Sequence, residues 1–281
     1  MVVFAVPGTS RQVRAKWFYQ NPVMWIYGKA TFGPTLGTMD TEHRPDRLGR
    51  ARVRQRAQRG VYDRATIDAI LDEGLVCHAG FIADGHPVVI PMAYARDEDS
   101  ILLHGAPGSR LLRTLAGGAP VVVTVTLLDG LVLARSTFHH SMNYRSVVAY
   151  GRARPVENTD ARAAALGILV EHLVPGRSVV ARGPSPSELA ATAVIRVTIE
   201  EASAKVRSGP PVDDPADHEL DVWAGVIPLA VRTGAPLPAP DLIAGPEAPV
   251  AWPAGLDVGQ RGGAMRSAAG RSAGGEDAAS E

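Results

Sequence analysis

The chain has 281 residues, and its 29 Lys and Arg balance 29 Asp and Glu. That zero formal charge gives no support to bulk nucleic-acid binding or to a membrane-surface role. Hydrophobic residues at 46% and charged residues at 21% are ordinary for a soluble globular protein, in one large domain or two small ones. The single cysteine, Cys77, excludes an intrachain disulfide framework and a Cys-rich zinc module; a reducing cytoplasm is the simplest compartment, and no run approaches the roughly 18 apolar residues that span a bilayer.

The chain opens with no continuous apolar core ending in a small-residue cleavage site, which argues against export. Residues 1–50 mix Trp, Tyr, Gly and Pro without a sustained period. They read either as an extension, disordered or partner-binding, or as a misassigned start with translation beginning at Met39. Folded sequence is expected over 51–235. The first helix has Asp63 as N-cap, Ile67, Ile70 and Leu71 on one face, and Gly74 as its stop. LVCHAGFI (75–82) and PVVIPMAY (87–94) form a hairpin about Asp84-Gly85. Pro91 places the second strand at an edge or a bulge, because proline donates no ladder bond.

SILLH (100–104) is the third strand, and GAPGSR (105–110) leads into a short helix, RLLRTLA. PVVVTVTLL (120–128) and LVLARS (131–136) read as a second Asp-Gly hairpin, followed by a strand over 144–156. Asp160 is expected to cap an Ala- and Leu-rich helix ended by Pro175-Gly176. Ser185-Pro186-Ser187-Glu188 is a capping box with proline at the first helical position. In VIRVTIEEASAK (194–205), Ile195, Val197 and Ile199 face one way and Arg196 and Thr198 the other. From about Pro236 the chain is rich in Ala, Gly, Pro and Ser, a composition that buries too little apolar area to offset ordering; residues 236–281 read as a disordered tail. Six strands with tight hairpins, plus a few helices at the ends, suggest a small antiparallel barrel, with an open α+β sheet as the alternative pattern.

Three polar groups carry candidate chemistry. His139 and His140 are adjacent, so in extended chain they point to opposite faces and are poorly placed to grip one metal; their neighbours Ser141, Asn143 and Arg145 do not complete a three- or four-ligand set. No metal site is expected there. Ser109 and Arg110 stand at a helix start, where exposed N–H groups and a guanidinium suit an anion, and where a simple turn and cap also suffice. Tyr144 and Ser146 share a strand face with Arg145 on the other, which suits a phosphate or ribityl chain or else a solvated strand edge. No nucleophile elbow, paired carboxylates or metal cluster accompanies them. Phosphate grips without acid–base machinery suit an enzyme whose cofactor supplies the reactivity.

The segments ILDEGLVCHAGFIADGHPVVIPMAYARD, LLHGAPGSRLLRTL, VTVTLLDGLVLARSTFHHSMNYRSVVAYGRARPV and EASAKVRSGPPVDD resemble the flavin-nucleotide-binding branch of the pyridoxamine 5′-phosphate oxidase-like proteins, related to the nitroimidazole-resistance proteins. The resemblance runs from about Arg54 to Leu229. It implies a six-stranded antiparallel split β-barrel of the FMN-binding type, mainly β with flanking helices, and a homodimer with two FMN sites. On this resemblance the backbone of Val89, Ile90, Pro91 and Met92 meets the polar edge of the flavin ring, and His104 sits close to it. Ser109 and Arg110 meet the phosphate, and Asn143, Tyr144 and Arg145 close the pocket. Lys205 and Trp223 reach the neighbouring subunit's site. The function it implies is an FMN-dependent oxidoreductase acting on a small molecule, with neither nucleic acid nor membrane as partner. The alternatives are a non-catalytic flavin-binding or redox-sensing module, and a haem-handling split barrel with an iron ligand among His78, His104, His139 and His140.

Overall fold

A computed structural model describes residues 49–242. The expectations for Met39, for the first 48 residues and for the chain beyond residue 242 lie outside the described residues. None of the described helices is long and apolar enough to cross a membrane.

Asp63 caps α1 (Arg64–Glu73) as its side chain accepts the N–H of Thr66, and Gly74 ends it. Ile67, Ile70 and Leu71 are buried on one face. The strands are β1 (Gly60–Val61), β2 (Val76–Ala83), β3 (His86–Asp97), β4 (Ser100–Gly105), β5 (Pro120–Leu133), β6 (Ser141–Pro155), β7 (Ala193–Arg207) and β8 (Gly225–Pro228). All pairings are antiparallel. Six of the strands close on themselves in the order β7-β4-β3-β2-β5-β6, with β6 returning to pair with β7; β1 adds to β7 and β8 to β5. Closure into a ring removes most of the free edges that a six-stranded open sheet would expose.

The ring follows from side-chain alternation. Odd-numbered residues of β2 (Cys77, Ala79, Phe81) and β5 (Val121, Val123, Val125) are buried inside, with Val147 and Ala149 of β6 and Ile195 and Val197 of β7. Helices α1 and α2 (Arg110–Ala116) add Ile70, Leu71, Leu111, Leu112 and Leu115 to the same core. A smaller core lies outside the ring, where Ala165 and Leu169 of α3 (Thr159–Leu173) pack on Ala95, Leu102 and Val194. The short helices α4 (Arg177–Val180) and α5 (Pro186–Ala190) follow, the second with its expected capping box complete.

Two local expectations are corrected. Asp129-Gly130 is not a hairpin turn: β5 runs through it and stays paired with β6 on both sides. At Asp84-Gly85 both residues have positive φ, 52° and 76°, as a two-residue hairpin turn demands, whereas neither Asp129 nor Gly130 does. Instead the register shifts between Leu128 and Gly130, so Asp129 is the extra residue of a bulge. Gly130 is needed because β8 passes close: a Cβ there would lie 2.9 Å from Val226 Cγ1. The cap of α3 is Asn158, whose side chain accepts the N–H of Ala161; Asp160 sits inside the first turn.

Candidate functional site

The ring has a split. From Tyr94 to Asp97, β3 pairs with β4, whereas from His86 to Ala93 it pairs only with β2 among the described strands. The two-residue turn makes Ala83 and His86 a hydrogen-bonded pair, and bonded and non-bonded pairs alternate from there. Pro87, Val89, Pro91 and Ala93 therefore direct their backbone groups away from β2, to the open side. Both prolines of the strand fall at these positions, so neither costs a ladder bond. The open edge offers the N–H of Val89 and the carbonyls of Pro87, Val89 and Pro91, while Ala93 already meets β4 at the end of the Tyr94–Leu103 pairing. Val89 is 64% exposed, and Pro91 is exposed beside it, while Ile90 and Met92 pack inward on the core.

Across the opening, β4 continues past β3 to His104 and Gly105, which pair with Val194 and Ala193 of β7. His104 Nδ1 is buried without a hydrogen-bond partner. The chain then turns into α2, where Ser109 Oγ accepts the N–H of Leu112 at 3.3 Å. Its hydroxyl proton stays available for donation. Arg110 is exposed, and no described carboxylate pairs with it.

The entrance of β6 is built differently from its neighbours. Asn143 is buried, donates Nδ2–H to the carbonyl of Gly209 at 3.2 Å and accepts from Arg207. Tyr144 lies opposite Arg207, and Ser146 lies opposite Lys205 in the register. Arg145 faces inward and is held by two carboxylates. Its guanidinium donates to Glu73 through both Nη1 and Nη2, the latter at 2.8 Å, and to Asp129 through Nε at 3.0 Å and Nη2 at 2.8 Å. Hydrogen bonds donated to Glu73 and then to Asp129 hold the Arg145 pKa above its ordinary value, against the opposing effect of burial. Two anions against one cation leave this spot negative, the wrong sign for a phosphate. Trp223 is exposed and lies against Gly225, where a Cβ would come within 2.9 Å of the indole.

The structure thus sets His104 beside the point where β3 leaves β4, has Ser109 and Arg110 follow at the start of α2, and sets Arg145 in an acidic cluster with Glu73 and Asp129. Sequence reading missed Glu73 and Asp129. The first looks like an ordinary helix end and the second like a turn residue, so only their meeting at Arg145 reveals them. The paired histidines also part company. His140 Nδ1 lies 2.9 Å from the Ser136 carbonyl, while His139 Nε2 lies 3.3 Å from an Asp214 carboxylate oxygen. With Asp217, these last two form a group whose ligand atoms lie within 4.8 Å of one another, compatible with a metal ion although Asp214 is exposed. Its acidic members come from the loop after β7, which the local spacing of the histidines gives no means of seeing.

Comparison with known proteins gives a consistent set of likenesses. A sequence profile described as pyridoxamine 5′-phosphate oxidase matches residues 63–206. No curated protein matches the chain. Among solved structures, the FAD and heme binding protein from Mycobacterium smegmatis is 37% identical, with TM-score 0.68, covering 71% of this chain and 98% of that one. The flavocytochrome Anf3 from Azotobacter vinelandii is also 37% identical, with TM-score 0.67, covering 71% of this chain and 92% of that one. A putative 5-nitroimidazole antibiotic resistance protein from Bacteroides thetaiotaomicron is 23% identical, with TM-score 0.46, covering 52% and 86%.

Proposed function

The chain belongs to the pyridoxamine 5′-phosphate oxidase family, and from that premise we propose that it binds a flavin nucleotide and acts as an oxidoreductase on a small molecule. The observation that carries this reading is the unpaired edge of β3. A flavin ring is apolar across its face and presents alternating donors and acceptors along one edge. The N–H of Val89 and the carbonyls of Val89 and Pro91 offer the complementary set, with the exposed Val89 and Pro91 side chains beside them. When bound, the flavin supplies the hydride and electron transfer that no side chain provides.

The chain's own residues bind and orient. Ser109 and the free cation of Arg110 hold the phosphate end. Asn143 fixes the β6 entrance through Arg207, with Tyr144 on the neighbouring outward face, and His104 borders the split. Lys205 and the exposed Trp223 belong to the face offered to a second subunit. Arg145 takes no part in phosphate binding, since its charge is outweighed by Glu73 and Asp129. FMN is the nucleotide of first choice, because a single phosphate suits one guanidinium and one hydroxyl.

A second reading adds haem. Both 37%-identical relatives are haem or cytochrome proteins by name, and His104 has a buried ring nitrogen without a partner. Of the four candidate ligands, His139 and His140 already have partners, which leaves His78 and His104 for the iron.

The absorbance spectrum of the purified protein, with release and identification of its chromophore, tests both. A flavin spectrum with FMN released, bleached by NADH or NADPH, is the expected result; FAD in the extract changes only the nucleotide. An added Soret band that is lost in His104→Ala supports the haem reading. A flavin that stays oxidised with every reductant makes the protein a binding or redox-sensing module. A colourless protein that takes up neither FMN nor FAD overturns the flavin assignment.

A further inference from the structure

We propose that the cleft around Arg145 binds a small molecule with an apolar body and a cationic head, a primary amine being the simplest case. The cleft has a volume of about 380 Å³ and is walled by Leu127, Leu128, Leu229 and Val231 around the Glu73–Arg145–Asp129 cluster. That volume lies in the range of small-ligand pockets, about 300–1,000 Å³, and holds a ring or short alkyl chain with its head group. Leu229 N–H donates to the Asp129 carbonyl at 3.1 Å, which fixes the last wall against the bulge.

The charge of the cluster selects the ligand. Arg145 spends its Nε and Nη2 donors and one of its Nη1 donors on the two carboxylates. Two carboxylates offer about eight lone-pair sites between them, so acceptors remain in excess. The Glu73 side chain is 11% exposed, whereas Asp129 is 33% exposed and faces the opening. An ammonium brings donors and no acceptor, and it cancels the surplus negative charge beside low-dielectric leucine walls, where that attraction is stronger than in water. A carboxylate or phosphate is repelled by the same surplus. Asp129 is there because the bulge adds one residue to β5, so the distortion that breaks the ladder also supplies the anion. The site stands apart from the flavin assignment and does not rest on it.

Titration of the full chain with phenethylamine, 2-phenylethanol and 3-phenylpropionate, followed by calorimetry and by the leucine and valine methyl signals, tests the proposal. The amine is expected to saturate, to shift methyls of Leu127, Leu128 and Leu229, and to bind about tenfold more tightly than the alcohol, the scale of one charge-assisted hydrogen bond. The propionate is expected not to bind. Asp129→Asn removes the surplus charge and is expected to weaken the amine about tenfold. Because that change touches the Arg145 cluster, Val231→Trp serves as a second variant: it fills the cleft from an exposed position and leaves the charges intact. Equal affinity for amine and alcohol, absence of amine binding, or unchanged affinity in either folded variant overturns the site. Repeating the titration with and without added FMN separates the two assignments, since failure of flavin binding leaves the amine result standing.

Discussion

Arg110 and Arg145 are the same residue type within one domain and have opposite electrostatic surroundings. Arg145 is surrounded by Glu73 and Asp129, so an arriving anion meets net negative charge. Arg110 is exposed at the start of α2 with no described carboxylate against it, so its full charge is available. Replacing Arg110 by Ala is therefore expected to weaken FMN binding by roughly 1.5–3 kcal/mol, the worth of hydrogen bonds to a charged group, as read by fluorescence titration of FMN. Unchanged affinity would remove Arg110 from the phosphate site. The sequence marks both arginines as candidates, because charge is legible there. Which arginine is free is not legible, since Glu73 lies 72 residues before Arg145 and the fold alone brings them together.

Among the elements, the β6–β7 pair shows where the ring is tightest. The register shifts between Tyr150 and Gly151, with Glu200 as the extra residue of β7. At Gly151 an added Cβ would fall 2.0 Å from the backbone carbonyl oxygen of Thr198, a contact that no rotamer change relieves. Gly151→Ala is expected to destabilise the fold by about 1–3 kcal/mol, the cost of forced overpacking, visible as a lower urea midpoint with unchanged slope.

The capping box of α5 gives a pH signature. Hydrogen bonds from Arg182, then from the backbone and side chain of Ser185, draw the Glu188 carboxyl down to about 2. A carboxylate with a lowered folded pKa contributes stability that is fully present above its unfolded value, about 4.3. That contribution is lost as pH falls from there through about 2. Carboxyl-detected NMR is expected to give Glu188 a midpoint near 2, rising toward the ordinary glutamate range in Arg182→Ala. A wild-type midpoint already in that range would remove the pairing.

This box was legible in four consecutive residues because every partner is local. The same holds for Asp84-Gly85, whose two positive-φ residues close a true hairpin. Asp129-Gly130 has the same letters and a different outcome: β8 and Arg145 compete for the segment and turn it into a bulge.

For the whole molecule, the outward face of β2 and β3 exposes Val76, Ile82 and Val89 on adjacent paired strands. Exposed apolar side chains gathered on one face suit a protein partner, and the homodimer proposed for the flavin assignment supplies one. Sedimentation velocity is expected to give a dimer for the native chain and a shift toward monomer for Ile82→Asp, which places a charge in that face. A native monomer at micromolar concentration would count against the second subunit and against the roles given to Lys205 and Trp223.

The sequence by itself determined the alternation of β7, the caps of α1 and α5 and the Asp84-Gly85 turn, because each is written in residues a few positions apart. Pro91 announced an edge or a bulge, since a missing N–H has the same consequence in any fold, and the fold makes it an edge. Tertiary structure decided the closure of β6 on β7 and the opening of β3 from β4. It also decided the neutralisation of Arg145 and the separation of His139 from His140. Each of these depends on groups brought together from distant parts of the chain. Their energies are set by who faces whom across the ring, and no local pattern encodes that.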